Sequence, residues 1–283
     1  MSDTVRSIPA QAVRDQVYAL FRSACQAPQL EVDAALQKAL ETERTEHARE
    51  ILSQLLANNE KARREGLPAC QDTGMAVVFL EIGQDVHIES GSVMEAVSDG
   101  VRAAYRAGCC RASVLDPITR QNTGDNLPPV VHTEIVPGDQ VRIRVLPKGF
   151  GSENMSQLRM LKPADGRQGI EDFIVESTQQ AGGSPCPPVV LGVGIGGTFD
   201  SCAQLAKKAL LRPLDAPNPD QELAEMETRL RDRINALGMG PMGMGGDTYC
   251  LKVQIEKAPS HIAGLPVAVN FCCHMLRVAE AVL

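Results

Sequence analysis

Met75 to Ile82 is a nearly continuous apolar run of strand length, and Val189 to Val193 is a second. Runs without polar alternation belong to strands covered on both faces, so other elements must pack over them. Helical stripes supply the cover. Val13, Val17, Leu20 and Phe21 recur at helical spacing, as do Ile51, Leu52, Leu55 and Leu56, and then Val93, Val97, Val101 and Tyr105. Ser92 with Glu95 spells a capping box where the third stripe begins. Strands and helices mixed along the whole chain imply an α/β or α+β class. The expected architecture is one domain over residues 1–283, with a mainly helical segment at about 1–66 packed on mixed β-sheets with surrounding helices.

Further along, Val130 to Val136, a Pro137-Gly138-Asp139 turn, and Val141, Ile143 and Val145 alternating with Arg142 and Arg144 predict a β-hairpin. Lys148 to Ser156 reads as a flexible, polar loop. Helices are predicted around Ile170–Gln180, Phe199–Leu211 and Gln221–Leu237, the last turning Leu223, Leu230, Ile234 and Leu237 inward. A Gly/Met stretch from Gly238 to Gly246 precedes a strand near Tyr249–Ile255.

With 283 residues, 43% of them apolar, the chain can bury a large core without staples. The 28 basic and 35 acidic residues leave a formal charge of −7, which argues against nucleic-acid or anionic-membrane partners. Aromatic residues are scarce at 3%, so a base-stacking platform is not expected. The longest uncharged stretch, Pro185 to Phe199, is too short and glycine-rich to span a bilayer. The nine cysteines are odd in number and scattered, and no signal-peptide hydrophobic region opens the chain. That pattern fits a reducing, cytosolic compartment with free or metal-bound thiols.

Cys25 and Cys202 fall on apolar faces of predicted helices and Cys250 in a predicted strand, where a thiol serves as a small hydrophobe. Cys109-Cys110 closes a helix, and adjacent thiols point different ways. Cys70, Cys186 and Cys273 differ, because each sits in or beside a loop flanked by proline or polar groups. With no C-x-x-C pair, spacing alone leaves both a shared metal site and coincidence open. His261 and His274 lie near the last pair, and a lone histidine is more often a satisfied structural residue than a ligand. Arg111 follows the helix-closing pair, either as a solvated C-terminal charge or as a bidentate carboxylate clamp. Gly192-Val193-Gly194-Ile195-Gly196-Gly197 satisfies G-x-G-x-x-G, the signature of dinucleotide binding. Helix follows helix after it, and no strand brings a ribose-binding acid at the expected distance, so a glycine turn packed on the sheet is the better reading.

Together several strings resemble the class I fumarate hydratases, specifically the α subunit of the two-subunit form, within the fumarate hydratase and L-tartrate dehydratase α-subunit family. They are Pro68-Ala69-Cys70-Gln71-Asp72-Thr73-Gly74, Asn122-Thr123-Gly124-x-Asn126-Leu127-Pro128, Lys148-Gly149-x-Gly151-Ser152-Glu153-Asn154 and Cys186-Pro187-Pro188. His261-Ile262-Ala263-Gly264-Leu265-Pro266 and Asn270-x-Cys272-Cys273-His274-x-x-Arg277 complete the set. The likeness runs in consistent order over roughly residues 10 to 280.

The resemblance implies a class I fumarase N-terminal-domain fold and a [4Fe–4S] cluster held by Cys70, Cys186 and Cys273, with one iron left without a cysteine ligand. It implies reversible hydration of fumarate to (S)-malate, or the elimination of water from L-tartrate. By the same carry-over Gln71, Asp72, Arg111 and Gly151 contact substrate. Asp72 takes part in proton transfer and His261 supports it. Single-chain relatives carry a second domain, so the resemblance also implies a separate β subunit, in an α2β2 assembly, for a small dicarboxylate substrate.

Overall fold

The computed structural model describes residues 5–26 and 29–283. In chain order the elements are β1 (Arg6–Pro9), α1 (Ala10–Gln26), α2 (Leu30–Thr42), α3 (Glu46–Glu65), β2 (Met75–Gly83), β3 (Val86–Glu89) and α4 (Val93–Ala107). Then come β4 (Val130–Val136), β5 (Val141–Lys148), α5 (Phe150–Glu153), β6 (Gln157–Leu161), α6 (Gly166–Ala181) and β7 (Val189–Gly196). The chain finishes with α7 (Phe199–Ala209), α8 (Gln221–Asn235), β8 (Cys250–Ala258), β9 (Leu265–Cys272) and β10 (Ala279–Val282). The class is mixed α and β, as the alternation of apolar runs and stripes requires. No described helix is long and apolar enough to cross a membrane.

The chain forms two compact units. Among the described residues, the first comprises 5–26, 29, 59–149 and 277–283, and the second 30–58 and 150–276. In the first, a four-stranded sheet runs β10-β5-β2-β4. Strand β2 is buried through Ala76–Leu80 and occupies an interior position, parallel to β4 and antiparallel to β5. The predicted hairpin is therefore not formed. Its two strands both exist, but β2 lies between them. The reason is hydrophobic: an apolar run needs a neighbour on each edge and cover on each face, whereas a two-stranded ribbon would leave it unpartnered. Four residues, 137–140, cross from β4 to β5 over a gap of about 10 Å, within the reach of an extended tetrapeptide. They seal the end of β2 through Gly83 N–H to the Gln140 carbonyl (2.8 Å) and Asp85 N–H to the Gly138 carbonyl (2.9 Å).

Helices α1 and α4 cover this sheet. Val13, Val17, Leu20 and Phe21 are buried against Val97, Val101 and Tyr105, the two stripes legible in the sequence. The Ser92 hydroxyl accepts the Glu95 N–H at the start of α4, as its capping pattern foretold. On the exposed side, Arg142 and Arg144 pair across strands with Glu81 and Glu280.

In the second unit the sheet order is β6-β9-β7-β8, with β7 parallel to β8 and antiparallel to β9. Helix α8 buries Leu223, Leu230 and Ile234, but it ends at Asn235. Leu237, expected to point inward, lies past that end and is exposed. The glycine string has a packing role. Gly192 and Gly194 are inside β7, where a methyl would stand 2.0 Å from the Ala206 carbonyl oxygen and 2.1 Å from that of Cys202 on α7. They let helix backbone lie directly on strand backbone. A phosphate cradle would need these glycines in the turn instead.

Gly192→Ala should accordingly force α7 off the sheet. We expect a loss of about 2 kcal/mol or more, seen as a drop of several degrees in a thermal melt; an unchanged melting temperature would contradict this packing account.

Candidate active site

In the first unit, the residues that follow α3 are held by a set of backbone clamps. Gly66 ends the helix in the left-handed region (φ +65°), and its carbonyl accepts from the Gln26 side chain. Cys70 is half-buried with its thiol facing the Gln71 carboxamide, and Gln71 is exposed. Asp72 is half-buried, and its Oδ1 accepts the Gly74 N–H at 3.0 Å, closing an Asx turn. Gly74 has φ +74° and lies against the Lys148 backbone, where a side chain would stand 2.3 Å from a carbonyl oxygen. Only glycine fits there.

Three further groups fix this turn. The Tyr105 hydroxyl donates to the Thr73 carbonyl at 2.8 Å, and the Thr73 hydroxyl accepts the Arg111 N–H at 2.9 Å. Buried Asn126 donates from Nδ2 to the Gly74 carbonyl while its Oδ1 accepts from the Ser113 and Val114 N–H groups. Asp72 and Arg111, forty residues apart in sequence to the nearest ten, thereby belong to one hydrogen-bonded loop pair. The Arg111 side chain itself is exposed.

The expected flexible loop at Lys148–Ser156 is a packed structure. Lys148 ends β5 fully buried (1% exposed), Ser152 is buried within the turn α5, and Glu153 pairs with Lys207 and accepts from Asn270. Polar composition is misleading here because Glu153 is satisfied by partners distant in sequence and Lys148 by the neighbouring Gly149 carbonyl. Gly151 is exposed in the first turn of α5, where an N–H has no partner within its own helix. A methyl there would meet nothing nearer than the Ser184 carbonyl at 3.8 Å.

Cys186 and Cys273 both belong to the second unit. Cys186 is exposed and adopts φ +55°, an uncommon conformation for a residue with a side chain. Its loop is held on several sides: the Tyr249 hydroxyl donates to the Gly182 carbonyl (2.6 Å), and Met242 N–H donates to the Pro187 carbonyl (2.9 Å). His274 Nδ1 lies 3.0 Å from the Cys186 carbonyl, which ties the residue after Cys273 to the Cys186 loop. The Gly/Met stretch is thus a brace for a cysteine loop, a role its composition did not announce. His261 stands on an exposed turn, its Nδ1 accepting the Ala263 N–H, and lines a cavity of about 450 Å³ with Ile195, Lys257 and Leu265.

Four of the other thiols are shielded from solvent. Cys25, Cys202, Cys250 and Cys272 are buried. Burial pushes Cys250 up to about 12 and Cys202 to about 11, so both stay protonated at neutral pH. Cys25 is raised by its hydrogen bond with the Cys110 thiol and by burial, whereas that same bond lowers Cys110 to about 7. Among the described residues, no three histidine, cysteine, aspartate or glutamate side chains are gathered closely enough to hold a metal ion. Cys70 belongs to one unit, Cys186 and Cys273 to the other. Each of the three is a loop-borne thiol, exposed at Cys186 and half-buried at Cys70 and Cys273, and thiols of that kind suit an iron–sulfur group as donors.

Asn126→Ala would strip partners from three backbone groups, at an expected cost of about 2–4 kcal/mol. Tyr105→Phe removes one donor and should cost about 1 kcal/mol. Denaturant midpoints should follow that order, and a reversed order would refute Asn126 as the principal clamp.

A family model described as fumarate hydratase (Fumerase) matches residues 14–282. The chain is 42% identical over 267 residues to the putative L(+)-tartrate dehydratase subunit alpha of Methanocaldococcus jannaschii, covering 92% of this chain and 94% of that protein. It is 32% identical over 243 residues to the L(+)-tartrate dehydratase subunit alpha of Escherichia coli strain K12, covering 84% and 80%. With nearly its whole length matched, from the braced Asp72 turn to the Cys273 segment, this chain belongs to the fumarate hydratase (Fumerase) family of hydro-lyases.

Proposed function

We propose that the chain is the α subunit of a hydro-lyase that adds water to fumarate reversibly to give (S)-malate. The observation that carries this reading is the clamped Asp72 turn, sharing one hydrogen-bond network with Arg111 in the first unit. Such a network fixes the Asp72 carboxylate and the backbone from which the Arg111 guanidinium projects, the two kinds of group a dicarboxylate substrate needs. Cys70, Cys186 and Cys273 would hold a [4Fe–4S] cluster. When bound, that cluster offers one iron without a cysteine ligand, a Lewis acid for hydroxyl and carboxylate oxygens.

The protein's own residues then have distinct tasks. Arg111 clamps one substrate carboxylate through two parallel N–H donors, and the Gly151 N–H donates to a carboxylate oxygen. Gln71 orients the substrate with its carboxamide. Dehydration of malate breaks a C–H bond beside a carboxylate and a C–O bond on the next carbon, releasing a proton and hydroxide as water. Asp72, with Oδ1 fixed by Gly74, exchanges a proton from its other oxygen, and His261 supports that transfer. The relatives are named as α subunits, which supports a separate β subunit, in an α2β2 complex, as the source of the remaining substrate contacts. The accessible thiols and the acidic composition support a reducing, cytoplasmic setting.

A second reading is L(+)-tartrate dehydration, favoured by the names of the relatives at 42% and 32% identity. The Lys148–Asn154 string and Cys273-His274-x-x-Arg277 resemble fumarases more closely, and both substrates share the elimination.

The test is a panel of fumarate, mesaconate, and L- and D-tartrate on the anaerobically reconstituted two-subunit complex. Fumarate should turn over fastest; exclusive use of L-tartrate would select the second reading, and no turnover of any would overturn both. Asp72→Asn should abolish turnover while keeping the cluster's absorbance, and Cys186→Ala should lose that absorbance. In the cluster-free chain, alkylation should reach Cys70, Cys186, Cys273 and Cys109 but spare Cys25, Cys202, Cys250 and Cys272. Reconstitution should then protect the first three and leave Cys109 reactive, and any other set of protected thiols would reject the ligand assignment.

A further inference from the structure

Arg277 is 2% exposed, the largest side chain among those fully buried. Withdrawing a guanidinium from water costs several kcal/mol unless negative charge compensates it nearby. The geometry around Gly149 supplies that charge. From the position a Gly149 side chain would occupy, Asp72 Oδ2 is 3.3 Å away and Arg277 Nη2 is 3.6 Å away. The carboxylate oxygen and the guanidinium nitrogen are therefore within about 7 Å of each other, a separation at which opposite charges in a half-buried setting attract appreciably. Asp72 Oδ1 accepts the Gly74 N–H, so the oxygen on the Gly149 and Arg277 side is the second one, Oδ2. The buried Tyr105 phenol, which clamps the same turn, feels Arg277 and Asp72 in opposite senses, consistent with both charges lying beneath that turn. All these groups are in the first unit.

We infer that Arg277 is the positioning residue for Asp72, orienting its outward carboxylate oxygen through the gap that Gly149 leaves open. This rests on the hydro-lyase reading above. A methyl at position 149 would stand 3.3 Å from Asp72 Oδ2 and 3.6 Å from Arg277 Nη2, tight enough on the carboxylate to shift it by a few tenths of an ångström. Arg277 follows Cys273 by four residues, so one short segment carries both a candidate cluster ligand and the cation that sets the proton-transfer group.

The test uses the reconstituted two-subunit complex. Arg277→Gln should lower kcat about 30-fold or more with KM within about 3-fold, because the interaction acts on the reacting group and not on substrate binding. Arg277→Lys should recover most of that loss. Added guanidinium should partly rescue Arg277→Ala, which a purely structural role would not allow. In the cluster-free chain, the Gly74 amide should exchange about 10-fold faster in Arg277→Gln and return toward wild type in Arg277→Lys. A wild-type kcat in Arg277→Gln, or a loss confined to KM, overturns the inference. Should Arg277→Gln fail to fold or take up iron, Gly149→Ala replaces it: kcat should fall with iron content unchanged, and an unchanged kcat overturns the inference. Wild type and Asp72→Asn run alongside separate the two readings. Wild type inactive on every dicarboxylate removes the hydro-lyase assignment, and active Asp72→Asn removes the proton-transfer role of Asp72 and this inference with it; active wild type, dead Asp72→Asn and normal Arg277→Gln remove the Arg277 role alone.

Discussion

The carbonyls of Thr73 and Gly74 are the points from which the first unit's chemistry is organised. Each accepts a side-chain donor from a different element, the Tyr105 hydroxyl on α4 and the Asn126 amide in the loop before β4. A backbone turn in water would sample many conformers at a cost of about 1–2 kcal/mol per residue to fix. Here that cost is offset by partners that have their own reasons to be rigid, since Tyr105 is locked in the α1–α4 core. Asp72 inherits this rigidity, and the proton transfer proposed for it would gain from a carboxylate held within a fraction of an ångström of its working position.

The second unit solves a related problem for its cysteine loop. Cys186 leaves the helix-to-strand connection in a left-handed conformation that costs about 1 kcal/mol or more for a residue with a Cβ. Tyr249, Met242 and His274 brace the neighbouring backbone carbonyls. The two units thus use one device, in which a reactive side chain sits on a loop whose carbonyls are captured by remote donors. The accessible thiols, exposed at Cys186 and half-buried at Cys70 and Cys273, contrast with buried Cys25, Cys202 and Cys250, whose surroundings favour the protonated form.

What could be read from the sequence follows from how local each interaction is. The stripe on α4, its Ser92 cap and the strand at Met75 are set by neighbours within a turn or a pleat, and each is where its pattern placed it. The insertion of β2 between β4 and β5 depends on competition among distant strands, which periodicity does not encode. Strand β9 escaped notice although its burial is nearly complete, because Asn270 and paired cysteines interrupt its apolar character. Lys148 and Glu153 looked solvated only because Gly149, Lys207 and Asn270 lie far away in sequence or carry no visible signal. At the candidate site, the cysteines and Asp72 announced themselves by their neighbours. Tyr105 was legible as core, but nothing in a helical stripe reveals where its hydroxyl ends.

The proposed reaction needs an iron–sulfur group with one iron open to a hydroxy acid, held by thiols of this chain. Mössbauer spectroscopy of the anaerobically reconstituted two-subunit complex, before and after substrate, addresses that most directly. A single iron subsite should change its isomer shift and quadrupole splitting on addition of malate or fumarate while the others stay as they were. A cluster whose irons all remain unmoved by any of these dicarboxylates would contradict the account.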